Sequence, residues 1–236
     1  MALTSPTPTA WFSSKSSRNL KRKKSLNPFR ALLWLNVLTA TGMATCVITG
    51  QVKVSFELFG YLFKFPAANI FFALLTFPVT DIIADVFGKK EANFTVWVGF
   101  ISQFLTIFIL ELVMRLPGET EALQPFHVGG WLFLFGSAVA YLTAQFWDVF
   151  IFHWIKENIT GEKHLWLRNN LSTFSSQMIN SSLLIFIVFG VDELLLMLPG
   201  SILVKWTLAL IDTPFVYLGK YLLKEERHQS SLESFA

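Results

Sequence analysis

The stretch "FPVTDIIADVFG", residues 77–88, lies in apolar surroundings yet holds Pro78, Thr80 and two aspartates, Asp81 and Asp85. A four-residue spacing puts both carboxyls on one face of a helix. The rest of the chain decides what kind of helix this is. Hydrophobic residues make up 53% of the 236 and charged residues 15%, where a soluble domain carries roughly 25%. Mean hydropathy is +0.51. The composition is that of a membrane protein. A carboxylate at mid-bilayer then costs about 2.5 kcal/mol or more, so it must face the interior of a bundle or a ligand.

Working outward, six stretches approach the ~20 apolar residues that a bilayer requires. They are 29–50, 68–88, 93–116, 129–154, 169–190 and 198–223. The expected fold is an all-α membrane domain of six transmembrane helices over 29–223. A basic tail covers 1–28 and a second tail 224–236. Pro78 and Pro214 should kink their helices. Between the first two spans, "QVKVSFELFGYLFKFPA" (51–67) alternates polar and apolar residues around Phe59-Gly60. That pattern fits a short extracytoplasmic hairpin or an irregular loop.

Several chemistries lack their residues. Cys46 is the single cysteine, so there is no internal disulfide and no multi-cysteine metal site. His127, His153, His164 and His228 show no ligand spacing, so neither a metal nor a cofactor is expected. No G-x-x-x-x-G-K-[ST] loop occurs, which removes ATP hydrolysis by that route.

Charge is lopsided along the chain. No acid precedes Glu57, while Lys15, Arg18, Lys21, Arg22, Lys23, Lys24 and Arg30 crowd the start. A nucleic-acid patch and an organelle transit peptide share that composition. A cytoplasmic tail obeying the positive-inside rule fits best, because an apolar run follows at once. With both termini cytoplasmic, Lys89, Lys90, Lys156, Lys163, Arg168, Lys220, Lys224 and Arg227 join the tail inside. Only Lys53, Lys64, Arg115 and Lys205 fall outside. Nucleic acid is therefore not an expected partner; the lipid bilayer is.

Polar residues on separate helices fall at one depth. At ~1.5 Å per residue, Asp81, Gln145, Gln177 and Asp212 lie roughly 20–24 Å from the outer ends of their helices, and Asn36 sits at a similar level. Asp148 follows Gln145 by three residues, and Asn180 follows Gln177 by three. These residues read as a shared binding layer for a substrate. Ser102, Ser137, Thr143 and Ser172 read instead as interhelical glue. Carboxamides and carboxylates together suit a neutral, flat, hydrogen-bonding molecule such as a nucleobase or vitamin. Trp97 and Trp147 could stack on it, although both also fit a membrane-interface belt. No cationic residue is expected at this depth, which argues against a multiply charged substrate.

The opening stretch also carries a resemblance. "TDIIADVFGKKEA" (80–92) is similar to the second-helix motif of the queuosine precursor transporter family, also described as a vitamin uptake family. "AQFWDVFIFHWIK" (144–156), "HLWLRNNLSTFSSQ" (164–177) and "DTPFVY" (212–217) follow in the family's order. The resemblance implies a multi-pass protein of the bacterial inner (plasma) membrane, similar in fold to energy-coupling-factor substrate-binding subunits. It implies import of 7-cyano-7-deazaguanine, 7-aminomethyl-7-deazaguanine or queuine for tRNA modification. A deazapurine is then the small-molecule partner, with a homo-oligomer or a coupling subunit left open. Three positions depart from the family: Asp85 stands for glutamate, Asn93 lies where an arginine is usual, and Asn180 often stands for aspartate.

Thr80, Asp85, Arg168, Asn169 and Asn170 are candidates for gating or coupling. Arg168 is expected either to anchor a helix start, with Asn169 or Asn170 as cap, or to pair with Asp148 or Asp85 and close the inner side. Alternatives to deazaguanine import are transport of another vitamin or nucleobase-like molecule, an intramembrane aspartyl enzyme using Asp81 and Asp148, and an assembly protein. The enzyme lacks its G-x-G-D, H-E-x-x-H or G-x-S-x-G context.

Overall fold

A computed structural model describes residues 28–50, 52–118 and 130–233. The basic tail to residue 27, Gln51, the loop with Glu119, Glu121 and His127, and the last three residues lie outside the described residues. So do the side chains from Lys224 onward.

The chain is an all-α membrane protein with six helical spans that are long and apolar enough to cross a bilayer. The elements are α1 (Pro28–Thr49), β1 (Lys53–Leu58), β2 (Tyr61–Pro66), α2 (Ala68–Leu75), α3 (Phe77–Val86), α4 (Lys89–Val113), α5 (Gly130–Ile155), α6 (Leu165–Phe189) and α7 (Val191–Glu233). A π-helical turn, Lys156–Thr160, extends α5. The bundle thus has a hairpin end, where β1 and β2 sit, and a basic end, where α3 meets α4 and α5 meets α6.

The hairpin forms. β1 and β2 pair antiparallel from Lys53↔Pro66 to Leu58↔Tyr61. Phe59 (φ 54°) and Gly60 (φ 79°) make the two-residue turn with both φ positive, the primed form that matches strand twist.

The second span is broken. α2 stops at Leu75 and α3 restarts at Phe77, with Pro78 in its first turn. Proline lacks an N–H and crowds the preceding turn, so the helix is re-initiated there rather than continued. Thr80 Oγ1 donates to the Thr76 carbonyl at the break (2.9 Å). This span is the core of the bundle. It is 78% buried, against 22–44% for the other five. Every residue of α3 is buried, and α3 packs on α1, α4, α5 and α7. Gly219 of α7 permits one of these approaches, since a Cβ there would lie 2.5 Å from Ile82 Cδ1. At the basic end Gly88, with φ +94°, turns the chain from α3 into α4.

The outer surface is apolar: Trp34, Phe94, Phe108, Phe135, Leu195 and Phe215 are all exposed. Trp97 and Trp147 join them, at 47% and 41% exposure, so neither is placed to stack on a ligand inside the bundle. Polar residues are inside, as lipid surroundings demand.

Several boundaries differ from the sequence reading, among them the start of α4 at Lys89 rather than 93. α6 begins at Leu165 rather than 169, which draws Arg168 into its first turn. α5 runs on through the π turn instead of ending near Trp154. α7 begins at Val191 rather than 198, with Asp192 and Glu193 in its first turn, and encloses both Pro199 and Pro214. That last change moves Lys205 from an outer position to the bundle interior, where it is 1% exposed. The expectation of no cation at depth is corrected by the same fact.

Candidate functional site

α3 presents Asp81 and Asp85 along one face, and the two carboxyls meet different surroundings. Asp85, near the basic end, is surrounded by cations. Arg168 of α6 binds its Oδ1 directly. Lys220 of α7 lies 2.8 Å from Oδ2, and Lys156 of the π turn lies 3.5 Å from Oδ1. The Arg168 guanidinium also donates to the carbonyls of Gly161 (2.9 Å) and Lys163 (3.3 Å) and lies over the Phe152 ring. Glu162 bridges outward to Lys156 at 3.1 Å. One buried carboxylate therefore ties α3 to the ends of α5, α6 and α7. Of the two partners open to Arg168 in the sequence, the geometry has Asp85.

One turn deeper, Asp81, Asp148 and Asp212 come together from α3, α5 and α7. Ser176 Oγ donates to Asp148 Oδ1 at 3.0 Å, and Thr173 Oγ1 to Asp81 Oδ2 at 3.5 Å. Gln177 Nε2 reaches Ser176 Oγ at 3.4 Å. Asn169 adjoins Asp212. α6 thus lines one side of the cluster with a ladder of hydroxyls and amides.

The cluster is incompletely satisfied. The Asp81 and Asp148 carboxyls lie within hydrogen-bond reach of each other, and Gln177 Oε1 and both amide atoms of Gln145 are buried with no hydrogen-bond partner among the described residues. Buried polar groups are nearly always paired with protein, water or ligand.

Other expected residues are placed differently. Asn36 donates to Leu32 O within its own helix (2.9 Å). Asn170 joins α6 to α7 through Thr213 Oγ1 (3.0 Å). Of the serines and threonine read as glue, Ser102 crosses between helices, donating to Ala40 O of α1 (2.6 Å). Ser137 bonds a carbonyl of its own helix, while Ser172 of α6 bonds both the Asn169 carbonyl and the Asp148 carboxyl of α5. Asn180 separates from the cluster. α5 and α6 run antiparallel, so the step from Gln145 to Asp148 leads toward the basic end and the step from Gln177 to Asn180 leads toward the hairpin.

There Asn180 opens into a cavity of about 70 Å3, lined by residues of all six spans and by Pro66 of the hairpin. Lys205 donates to Asn180 Oδ1 (2.8 Å) and Ser181 Oγ (3.0 Å), with its Nζ 5.4 Å from the centre of the Phe72 ring. Asn69, Gln103 and Tyr141 line the same space. Lys205 was read as an outer cation because the sixth span was started at 198 rather than at Val191. Asp192 and Glu193, which suit a helix N-terminus, were the signal that the helix starts earlier.

A bundle sealed at one end by ion pairs, with unsatisfied polar atoms and a cavity behind the seal, has the architecture of a small-molecule membrane transporter. The comparisons agree. A family model described as "Putative vitamin uptake transporter" matches residues 66–219, more than half of the chain, and the chain belongs to that family. It is also 27% identical over 198 residues to the "Probable queuosine precursor transporter" of Bacillus subtilis (strain 168), covering 80% of this chain and 85% of that protein. No solved structure matches.

Proposed function

We propose that this chain imports queuosine precursors, deazaguanines of the 7-cyano, 7-aminomethyl or queuine type, across a bacterial inner membrane with both termini cytoplasmic. Family membership and the relative's printed name supply the substrate class. The observation that carries the reading is the set of unpartnered buried amide atoms on Gln145 and Gln177 beside the paired carboxyls of Asp81 and Asp148. A guanine-type base presents two adjacent N–H donors beside a carbonyl acceptor. A carboxylate accepts from the donor pair and a carboxamide N–H donates to the carbonyl, the pairing that the cluster offers.

In this reading Asp81, Gln145, Asp148 and Gln177 hold the base edge. Asp212 borders them, and Asn180 meets the far side of the ring. Asp85, Arg168, Lys156 and Lys220 form the inner gate. Thr80 supports the broken helix that carries both aspartates, and Asn169 and Asn170 couple α6 to α7. Release requires Asp85 to part from its cations, which moves α3 against α6 and α7. The driving force comes from an ion gradient, a partner ATPase, or trapping of the base in tRNA.

The test is a strain that neither makes nor takes up queuosine precursors. Expression of this chain should restore queuosine in tRNA on feeding a deazaguanine. Uptake of a different purine with no response to any deazaguanine would move the reading to another nucleobase-like substrate.

A further inference from the structure

The cavity at the hairpin end lies outside the carboxyl cluster, and nothing in the expected substrate layer accounts for Lys205. The cavity is built around that residue. Its side chain is fully enclosed, and two of its three N–H donors are used by Asn180 and Ser181. Among the described residues no carboxylate pairs with it. None of the residues lining the cavity is acidic; the other polar groups are the neutral side chains of Asn69, Gln103, Ser137, Tyr141 and Asn180. Asn69 Nδ2 and Gln103 Oε1 are buried there without a partner. The site therefore offers one basic group, an aromatic ring and neutral amides, with nothing anionic to balance a cation.

Cavity and cluster are joined along two helices. Tyr141 precedes Gln145 by four residues on α5, and Asn180 follows Gln177 by three on α6. Such neighbours lie ~5–6 Å apart on a helix face, which is comparable to the width of a fused bicyclic base. A base whose donor edge lies in the cluster places the opposite end of its ring system in the cavity. In a 7-substituted deazaguanine the five-membered ring at that end carries the substituent, which projects on the carbonyl side of the ring system. The space of about 70 Å3 suits a small substituent, while the ring itself requires the helices to part.

We infer that Lys205 and Asn180 form a subsite for the 7-substituent, and that it selects a neutral hydrogen-bond acceptor over an ammonium group. This inference rests on the import reading above and goes on to choose among its substrates. A nitrile nitrogen accepts the remaining Lys205 N–H. A primary aminomethyl group is protonated near neutral pH, as a lysine side chain is, and meets a basic group with no carboxylate to pair it. Ring stacking on Phe72 serves both compounds equally and does not discriminate.

The experiment compares uptake of 7-cyano-7-deazaguanine and 7-aminomethyl-7-deazaguanine by the full chain in the same deficient cells, with surface expression measured in parallel. Wild type should favour the cyano compound by about tenfold or more in apparent KM, the factor that 1.4 kcal/mol produces. Lys205→Met keeps the length and apolar stem and should compress that ratio mainly by weakening uptake of the cyano compound. Asn180→Asp keeps Lys205, adds a balancing carboxylate, and should compress it by improving uptake of the aminomethyl compound. A structural role for Lys205 would lower uptake of both compounds together and leave the ratio unmoved. Equal uptake of the two compounds by wild type overturns the inference while sustaining import. An unchanged ratio in every variant that still transports overturns it too. Uptake of neither compound by expressed wild type overturns the import reading itself, and the subsite with it.

Discussion

Asp81 and Asp85 lie one turn apart on the same buried helix, in opposite circumstances. Asp85 is held by ion pairs: three cations from three elements converge on it, and each of its oxygens lies within ion-pair distance of at least one of them. Asp81 shares its cluster with carboxyls and with the unpartnered amide atoms of Gln145 and Gln177. A buried ion pair is a lock, costly to leave half made. A buried polar group without a protein partner is open to a bond from water or a ligand. Spacing alone makes the two aspartates look equivalent, yet the surrounding helices give Asp85 three cations and Asp81 carboxyl neighbours, the difference on which we propose one for the gate and the other for the ligand.

The sharpest way to break this contrast is to remove the lock. Asp85→Ala strands Arg168, which is 0% exposed. Losing one partner of such a buried pair should destabilise the protein by about 3–5 kcal/mol. In detergent this appears as a large fall in Tm, and in cells as lost uptake. Asp85→Ala combined with Arg168→Ala should recover part of the Tm without recovering uptake. A single Asp85→Ala variant that melts like wild type would show that the clamp does not hold the bundle.

Asp81→Asn should behave in the reverse manner. The side chain keeps its shape and its place beside Thr173, so Tm should hold. Uptake should fall by about tenfold or more, the equivalent of 1.4 kcal/mol of ligand contact. Gln145→Ala sharpens the point, because neither of its amide atoms has a partner among the described residues. Its uptake loss should approach about tenfold with little change in Tm, whereas loss of stability with normal uptake would make it a packing residue. The smallest effect belongs to Ser102→Ala. Its bond to Ala40 O joins two helices away from the cluster, so it should cost about 0.6 kcal/mol of stability and leave uptake intact.

Much of this architecture was legible in the sequence because membrane burial leaves blunt signals. Span lengths, the Phe59-Gly60 turn and the break at Pro78 each follow from one local rule. Asp81, Gln145, Gln177 and Asp212 could be brought to a common level by counting residues from the helix ends. What could not be read was anything that depended on an uncertain end. Starting α7 at 198 put Lys205 seven residues in, near an interface. Starting it at Val191 puts Lys205 fourteen residues in, roughly 21 Å along the axis. The π turn that delivers Lys156 to Asp85 has no periodic signature, being a local irregularity of a kind often found at functional sites. The direction of the Gln-x-x-Asp and Gln-x-x-Asn pairs was likewise hidden. Only antiparallel packing shows that one points to the gate and the other to the cavity.

The most direct test of the account is uptake of 7-cyano-7-deazaguanine in cells lacking their own synthesis and import, read as queuosine in tRNA. Wild type, Asp81→Asn and Ser102→Ala should be compared at matched membrane expression. The account predicts restoration by wild type and Ser102→Ala, with loss in Asp81→Asn. Restoration by Asp81→Asn equal to wild type would contradict it, because the carboxyl at the centre of the bundle would then have no part in transport.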